Sequence, residues 1–173
     1  MGSLKYIPGE GSLHADIVFV GEAPGEEEDL QGRPFVGRSG KMLEKWINEF
    51  LGLSREQVYI TNAVKVRPEG NRAPTFEEIK SWTTSLWEEI KYIHPVLIVP
   101  VGASATKAIC GEDFDTFAPY RGKVSLLGGI YAIIPIYHPS YIRRAPGAEK
   151  LVREDFEAIK GYLNEYNKIR DEG

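Results

Sequence analysis

Short apolar runs alternate along the chain with longer segments in which apolar residues recur every three or four positions. Runs that are apolar almost throughout are typical of strands buried on both faces of a parallel sheet, whereas the longer spacing is typical of amphipathic helices. The predicted strands are Ile17–Val20, Val58–Thr61, Val96–Val101 and Ile130–Ile136.

The helical segments lie between and after these strands. The clearest helix start is Thr75, because Glu78 follows it three residues later in the pattern of a capping box. The alternation predicts an α/β protein with a mostly parallel, four-stranded sheet covered by helices on both faces. Since no repeat or low-complexity linker interrupts it, we expect residues 1–173 to form a single domain. The other predicted helices are Ser39–Leu51, Ala103–Ile109 and Lys150–Asn167.

Polar residues follow the carboxyl ends of three predicted strands. Glu22 comes after the first strand, Asn62 after the second and His138 after the fourth. In open α/β sheets, ligands bind outside the carboxyl ends of the strands. We therefore expect a carboxylate, a carboxamide and an imidazole to converge on one edge of the sheet.

Each of these residues also has a purely structural interpretation. Gly21 and Gly25 are compatible with a tight strand-to-helix turn, and Asn62 with an ordinary turn. The acidic run Glu26–Glu28 is typical of a solvated face or of acids that stabilise a helix N-terminus. A single histidine in a loop is usually exposed or structural, although His138 is the one histidine of three that follows a strand.

Composition narrows the class of protein. The chain of 173 residues is 42% hydrophobic, enough for a real core, and its apolar runs are too short to span a bilayer. Without a recognisable signal pattern, we expect a cytoplasmic protein. The single cysteine, Cys110, excludes an internal disulfide or a thiolate cluster built from this chain alone. The net charge of −4 argues against indiscriminate nucleic-acid binding but allows a local basic face.

Several chemistries are excluded by missing motifs. The turn "GEAPGE" has neither the G-x-G-x-x-G order nor the lysine of a P-loop, and no H-E-x-x-H or G-x-S-x-G motif occurs. The sequence offers no Cys/His pair or Asp-rich loop, so no metal site is predicted. What remains is Asn, His, Glu and an aromatic residue without an obvious nucleophile. Such a set suits recognition of a flat polar ring and stabilisation of a leaving group.

Six motifs resemble those of family 4 uracil-DNA glycosylases and occur in the same order. They are "FVGEAPGEEED", "GRPFVGRSGKML", "VYITNAVKVRP", "NRAP", "VPVGASA" and "HPSYIRR". The resemblance covers about residues 6–165. It implies a three-layer α/β/α sandwich and hydrolysis of the N-glycosidic bond of deoxyuridine in DNA, which releases uracil and leaves an abasic site. The target nucleotide must leave the base stack first.

The resemblance also implies roles for individual residues. Phe35 would stack on the uracil ring, Asn62 would read its polar edge and His138 would donate to its O2 atom. Backbone amides from Gly21 to Ala23 would bind the same oxygen. Glu22 or Glu28 would stabilise an oxocarbenium-like sugar or position the attacking water. The remaining carboxylates of the acidic run are expected to anchor the adjacent loop through Arg33 or helix-terminal amides.

DNA contacts are expected from residues around the same edge of the sheet. Basic residues there would neutralise phosphates and make binding salt-dependent. In the "HPSYIRR" segment, Tyr141, Ile142 or Arg143 would fill the gap left by the flipped base. The expected DNA-binding residues are Lys65, Arg67, Asn71, Arg72, Ser140, Tyr141, Arg143 and Arg144.

The sequence departs from this family at its iron–sulfur site. Family 4 members ordinarily hold a 4Fe–4S cluster with four cysteines, of which two form an N-terminal C-x-x-C pair. Here that pair is missing, Val66 stands at the third ligand position, and Ser81 or Trp82 stands at the fourth. Cys110 lies elsewhere. We therefore expect no cluster and no other cofactor, with Val66 and Trp82 filling the vacated volume.

Three alternatives stay open at this stage. The chain could be a glycosylase-fold module that binds uracil-containing or single-stranded DNA without turnover, or a glycosylase for another deaminated base. It could also be an α/β domain with an unrelated ligand. Uracil-containing DNA, single-stranded or mismatched, is the expected partner and free uracil the product. A monomer is expected, and no clamp-binding motif supports a sliding-clamp partner.

Overall fold

Six strands form one mixed sheet in this computed structural model, which describes residues 5–111, 114 and 116–173. The order across the sheet is β1-β3-β2-β4-β6-β5. The strands are β1 (Glu10–Gly11), β2 (Ile17–Gly21), β3 (Tyr59–Asn62), β4 (Leu97–Pro100), β5 (Ser125–Leu127) and β6 (Tyr131–Ile133).

The four central strands are those that the apolar runs predict. β3, β2, β4 and β6 pair in parallel, with Gly21 opposite Asn62 at the ends of β2 and β3. The prediction of a four-stranded sheet missed the edges, because β1 and β5 add short antiparallel strands on either side. Strands of two or three residues are too short to show an alternating pattern.

Six helices and two short 3-10 turns complete the described part of the chain. α1 and α5 were not predicted, because six residues are too few to show a helical period. The capping box of α3 is confirmed, with the Thr75 hydroxyl accepting from the Glu78 amide at 3.1 Å. The helices are α1 (Glu26–Gln31), α2 (Arg38–Leu51), α3 (Phe76–Ile93), α4 (Ala103–Cys110), α5 (Pro139–Arg144) and α6 (Glu149–Glu172), and the 3-10 turns are Arg55–Gln57 and Glu69–Asn71.

The helices cover the sheet on both faces, which confirms the three-layer α/β/α architecture. Ile17 and Phe19 of β2 point toward α2 and α6, where they join a core that contains Trp46 and Phe156. The alternate residue Val18 points to the opposite face, against α3 and α4. Because successive side chains of a strand face opposite ways, one apolar run supplies both cores. None of the helices within the described ranges is long and apolar enough to cross a membrane.

The connections place the carboxyl ends of β2 and β4 at a topological switch point. The chain leaves β2 toward β3 on one side and leaves β4 toward β6 on the other. A crevice opens where neighbouring connections diverge in this way, and ligands of doubly wound sheets bind there.

Candidate active site

A cavity of about 280 Å³ lies at this switch point. It brings together residues from the ends of β2, β3 and β6 with the segment that leads into α2. The predicted site residues Glu22, Ala23, Glu28, Phe35, Asn62 and His138 all line it. Five further lining residues had no predicted role, and they are Gly25, Gly37, Arg38, Ser39 and Gly40.

Gly21 lies beneath the cavity, where two predicted ligand-contacting side chains meet. A Cβ atom at this position would lie 2.4 Å from Asn62 Oδ1 and 2.4 Å from Phe35 Cζ. These distances are well inside van der Waals contact, so only glycine fits. Gly21 therefore contributes through the absence of a side chain, which lets Asn62 and Phe35 close over the backbone of β2.

The Asn62 carboxamide is buried and available to a ligand. The residue is 4% exposed at the end of β3. No other residue in the described ranges hydrogen-bonds its side chain, although the side chain faces the cavity. A carboxamide has one accepting oxygen and one donating nitrogen, so it can read a donor and an acceptor on the edge of one ring.

His138 is held as a neutral donor. Its Nδ1 atom accepts from the Ser140 amide at 3.0 Å and lies 2.8 Å from the Ser140 hydroxyl. We assign the proton to Nε2 because an accepting Nδ1 must be unprotonated. Burial, followed by the positive charges of Arg143 and Arg144, lowers the pKa of His138 to about 4. The imidazole therefore presents an N–H to the cavity without a positive charge at neutral pH.

The two candidate carboxylates have different surroundings. Glu28 accepts from the amides of Gly25 at 2.9 Å, Val36 at 2.9 Å and Gly37 at 2.6 Å. It thereby joins the N-terminus of α1 to the segment that carries Phe35. The Glu22 side chain forms no hydrogen bond or ion pair within the described ranges. This geometry favours Glu22 as the carboxylate that acts on a ligand and Glu28 as the one that holds the loop.

Arg33 does not pair with the acidic run, so that prediction was wrong. Its guanidinium donates instead to Glu10 at 3.0 Å and 3.1 Å, from the far side of β1. Of the acidic run, Glu28 alone is seen to bind helix-terminal and loop amides in the described part of the chain, while Glu26 and Glu27 also lie in the first turn of α1.

Phe35 has an unusual backbone conformation for a large side chain. Its φ of 50° lies in the left-handed region, which costs an L-residue about 1–2 kcal/mol. Gly40 packs against it so closely that a Cβ there would lie 2.0 Å from the Phe35 carbonyl carbon. The Phe35 carbonyl accepts from the Arg55 guanidinium at 2.6 Å. Sequence reasoning missed Arg55, because "SREQ" reads as an exposed polar turn.

Lys65 does not present its charge to DNA, so this predicted contact is corrected. The residue is 1% exposed, and its ammonium donates to Glu89 at 2.7 Å and Thr61 at 2.7 Å. It also donates to the backbone carbonyl of Asn62. Burial lowers the pKa of Lys65, and the Glu89 carboxylate opposes that shift. Lys65 therefore supports the strand end that carries Asn62 from behind.

The other predicted DNA contacts divide by exposure. Tyr141 is 40% exposed and stacks on Tyr137 with ring centroids 4.5 Å apart. Ile142 is only 6% exposed and belongs to the core, so it is not available as a wedge. Ser140 is bound to His138, as described above. The remaining predicted residues stay at or near the surface, namely Arg67, Asn71, Arg72, Arg143 and Arg144.

Surface arginines in this group already have partners. Arg67 donates to Asn71 at 2.6 Å, and Arg72 forms an ion pair with Glu78 at 2.6 Å. Arg143 reaches Ser39 at 3.4 Å, next to the cavity. Exposed pairs of this kind exchange readily for phosphate, because each contributes little in water.

The residues at the iron–sulfur positions do not fit a cluster. Val66 and Trp82 are partly buried, the Trp82 ring lies 6.0 Å from that of Tyr6, and Ser81 donates to the Glu78 carbonyl. Cys110 is the last residue of α4 and is not at any of these positions in the sequence. Within the described ranges, no three His, Cys, Asp or Glu residues are grouped to hold a metal ion. Valine, serine and tryptophan are not iron ligands in such clusters.

Sequence comparison decides which family has this arrangement. The family model described as the Uracil DNA glycosylase superfamily matches residues 8–163. The chain belongs to this superfamily. Its α/β sandwich and the cavity at the switch point are therefore those of a uracil-DNA glycosylase superfamily member.

Several curated relatives carry the name type-4 uracil-DNA glycosylase. The protein from Sulfurisphaera tokodaii is 44% identical over 160 residues, which cover 89% of this chain and 73% of the relative. The protein from Saccharolobus solfataricus is 41% identical over 164 residues, which cover 91% of this chain and 76% of the relative. The Thermotoga maritima protein is 44% identical over 160 residues, which cover 91% of this chain and 82% of the relative. This similarity confirms the resemblance on which the predicted roles depend.

Proposed function

We propose that this protein is a DNA repair glycosylase that hydrolyses the N-glycosidic bond of deoxyuridine and releases uracil. The observation that carries the proposal is one cavity that combines an unpartnered Asn62 carboxamide with a neutral His138 donor. At about 280 Å³, the cavity lies near the lower limit for ligand sites and suits one small ring. The names of the relatives support the same activity.

Base recognition follows from the polar groups of the cavity. The Asn62 oxygen would accept from uracil N3–H while its amide nitrogen donates to O4. Cytosine presents an acceptor and a donor in the reverse places, so a fixed Asn62 would leave both pairs unsatisfied. Phe35, on the wall of the cavity, would cover the face of the ring.

Leaving-group stabilisation is the proposed role of His138. As the bond from C1′ to N1 breaks, both electrons go to the base and negative charge collects on O2. The Nε2–H of neutral His138 would donate to this oxygen, with backbone amides at Glu22 and Ala23 beside it. A neutral donor gains strength as the charge develops, and it needs no proton transfer in the transition state.

Glu22 is the proposed carboxylate for the sugar. Positive charge develops at C1′ as uracil departs, and an ionised carboxylate nearby stabilises it. Glu22 would also orient a water whose oxygen bonds to C1′, and the proton lost from that water would end on the departing uracil anion. Glu28 keeps the loop in place rather than acting on the substrate, as its three amide contacts indicate.

DNA would be held around the mouth of the cavity. We propose phosphate contacts from Arg67, Arg72, Arg143 and Arg144 with Asn71 beside them, and a duplex wedge from Tyr141 or Arg143. The exposure of Tyr141 and its stacking on Tyr137 support a rigid aromatic at this position. Monomeric state, cytoplasmic location and a sliding-clamp partner remain predictions.

We also propose that the protein works without an iron–sulfur cluster. The partly buried Val66 and Trp82 occupy ligand positions of the family site, and Trp82 contacts Tyr6. The hydrolysis itself needs no electron transfer. Iron analysis and visible spectra of protein purified without oxygen should show neither stoichiometric iron nor broad absorbance; finding both would overturn this proposal.

The test of function is a single-turnover assay on labelled oligonucleotides with one uracil, either opposite guanine or unpaired. Alkali-revealed strand breaks are expected for the wild type and for Asn48→Ala, an exposed carboxamide on α2. Asn62→Ala and His138→Ala should each lose cleavage by about a hundredfold or more. Binding without cleavage by the wild type would instead identify a DNA-binding module, and cleavage only at hypoxanthine or xanthine would shift the proposed substrate.

A further inference from the structure

Arg55 is a buried cation placed behind the wall of the cavity. It is 4% exposed, at the start of the 3-10 turn Arg55–Gln57. Its guanidinium donates from Nη1 to the Phe35 carbonyl at 2.6 Å and from Nη2 to the Pro34 carbonyl. The nearest carboxylate oxygens belong to Glu10 at 3.4 Å and Glu44 at 3.9 Å.

The guanidinium of Arg55 binds the backbone of Phe35, whose conformation is strained. Phe35 adopts a left-handed conformation that phenylalanine rarely takes, and such conformations persist only where the surroundings over-determine them. Gly40 closes on the Phe35 carbonyl from α2, and the ring itself lies against Gly21. The Phe35–Val36 peptide is held at both polar groups: Glu28 accepts from the Val36 amide at 2.9 Å, and the Arg55 guanidinium donates to the Phe35 carbonyl. Arg55 is the contact that also holds the preceding Pro34 carbonyl.

We propose that Arg55 is a positioning residue that sets the orientation of the Phe35 ring in the base-binding cavity. This inference rests on the proposed function, in which Phe35 stacks on uracil. Arg55 is not among the residues that line the cavity. It acts through the backbone, and its effect on the reaction passes through one aromatic ring.

The guanidinium suits this task better than an ammonium. Its N–H donors form a planar fork of fixed geometry, so two neighbouring carbonyls are held in one relative orientation. A lysine would bring one freely rotating ammonium to the same place and hold the peptide less rigidly. Arg55→Lys should therefore keep the charge and the fold while losing part of the orientation.

Arg33 provides a matched control. It shares Glu10 with Arg55 but is about half exposed, and its guanidinium donates to Glu10 rather than to the Pro34 or Phe35 carbonyl. Arg33→Met removes a cation from Glu10 without touching the Phe35 peptide. A variant of Arg55 that acted only through Glu10 would behave like Arg33→Met.

The experiment is a double-mutant cycle between Arg55→Met and Phe35→Ala. It measures the single-turnover excision rate at saturating enzyme and the dissociation constant for DNA with a tetrahydrofuran abasic analogue. Arg55→Met should slow excision by about tenfold, and Arg55→Lys by less. In Arg55→Met, the affinity for the abasic analogue should change by less than about twofold, because the analogue has no base for Phe35 to cover. In Arg33→Met, the excision rate and this affinity should each change by less than about twofold.

The Phe35→Ala background separates positioning from general support. In that background, the further change Arg55→Met should alter the excision rate by less than about twofold, because the ring through which it acts is gone. An equal loss in both backgrounds, or equal weakening of abasic-DNA binding, would overturn the inference. Excision at the wild-type rate by both single variants, Arg55→Lys and Arg55→Met, would also overturn the inference.

The failure of this inference can be told apart from that of the proposed function. If Phe35→Ala excises uracil at the wild-type rate, the proposed stacking of Phe35 on uracil is wrong, and so is the proposed role of Arg55. If Phe35→Ala is slow while Arg55→Met is normal, only the inference fails. Should Arg55→Met not fold, the cycle is completed with Arg55→Lys, whose non-additivity with Phe35→Ala is then the deciding result.

Discussion

At the scale of single residues, the site depends on side chains whose chemical state is fixed before any substrate arrives. The backbone amide and hydroxyl of Ser140 select one tautomer of His138. Burial and two nearby arginines keep that ring uncharged. Electrostatic catalysis benefits from such preorganisation, because no reorientation is needed when charge develops.

The lowered pKa of His138 predicts a specific pH dependence. Titration of His138 should not change the rate of excision between pH 8 and about pH 5. The rate should fall as the pH approaches the His138 pKa of about 4, because the imidazole then becomes protonated. The unfolded chain binds this proton near pH 6.5, whereas the folded protein does not. Stability should therefore decrease as the pH falls from about 6.5 to about 4.

Urea unfolding between pH 4 and pH 7 checks this expectation against His138→Asn. Asparagine also caps helices, so this variant should keep α5 while losing part of the decrease in stability at low pH. The lowered pKa of His138 would be contradicted if the wild-type free energy of unfolding rose as the pH fell toward 4. It would also be contradicted if wild type and His138→Asn showed the same dependence of stability on pH.

Gly21 gives a second prediction at this scale. In Gly21→Ala, the new methyl group would displace the Asn62 and Phe35 side chains, with contacts at 2.4 Å. Displacements of about 1 Å at a catalytic site cost about a hundredfold in rate, so single-turnover excision should fall by that order. The control is Gly161→Ala, where the added methyl group meets nothing within 4 Å and should stabilise α6 by roughly 0.5–1 kcal/mol.

At the scale of secondary-structure elements, buried polar contacts join α3 to the end of β3. Glu89 of α3 accepts from Lys65 and from Tyr59 at 2.7 Å each, and from Thr61 at 3.0 Å. Lys65 in turn reaches the Asn62 carbonyl. The helix on one face of the sheet thus supports the residue that faces the cavity at its edge.

This contact predicts a large loss of stability in Glu89→Ala. The substitution leaves the buried Lys65 ammonium without its carboxylate, and breaking a buried pair from one side costs about 3–5 kcal/mol. Lys65→Met combined with Glu89→Leu should recover much of that loss, because no uncompensated charge remains. Urea unfolding measures both, and a Glu89→Ala protein as stable as the wild type would show that the pair is unimportant.

The sequence predicted elements well where they were long or capped. The central strands, the start of α3 and most of α2, α4 and α6 follow from apolar period and from Thr75. α1, α5 and the edge strands are too short to leave a period. Within the site, strand ends placed Glu22, Asn62 and His138 correctly, whereas Lys65 and Arg55 look exposed in the sequence. Whether a cation is buried depends on partners distant along the chain, such as Glu89 and Phe35.

At the scale of the whole molecule, an acidic protein has basic side chains at its cavity. The net charge is −4, yet Arg38 lines the cavity and Arg143 reaches the lining residue Ser39. In the proposed function, the overall charge would limit non-specific attraction, while the local cations would provide phosphate contacts where the site opens.

Salt dependence tests this division of charge. For each phosphate contact removed, the slope of log affinity against log salt should decrease by about 0.7–0.9. Arg144→Ala should show this change with the abasic-analogue DNA, whereas Lys168→Ala, at the far end of α6, should not. Equal slopes of log affinity against log salt for wild type and Arg144→Ala would show that Arg144 does not contact a phosphate.

The cap of α5 has one further consequence. His138 begins the helix that carries Tyr141 and Arg143, and the nitrogen that caps it is the one that determines where the proton lies. In the proposed function, the segment that contacts the DNA and the imidazole that contacts the base would therefore be one helix and its cap. If contact with DNA unwinds the first turn of α5, the imidazole loses its preferred tautomer at the same moment. Under the proposed function, docking of α5 on the DNA strand and the histidine tautomer that bond cleavage needs would thus depend on the same cap.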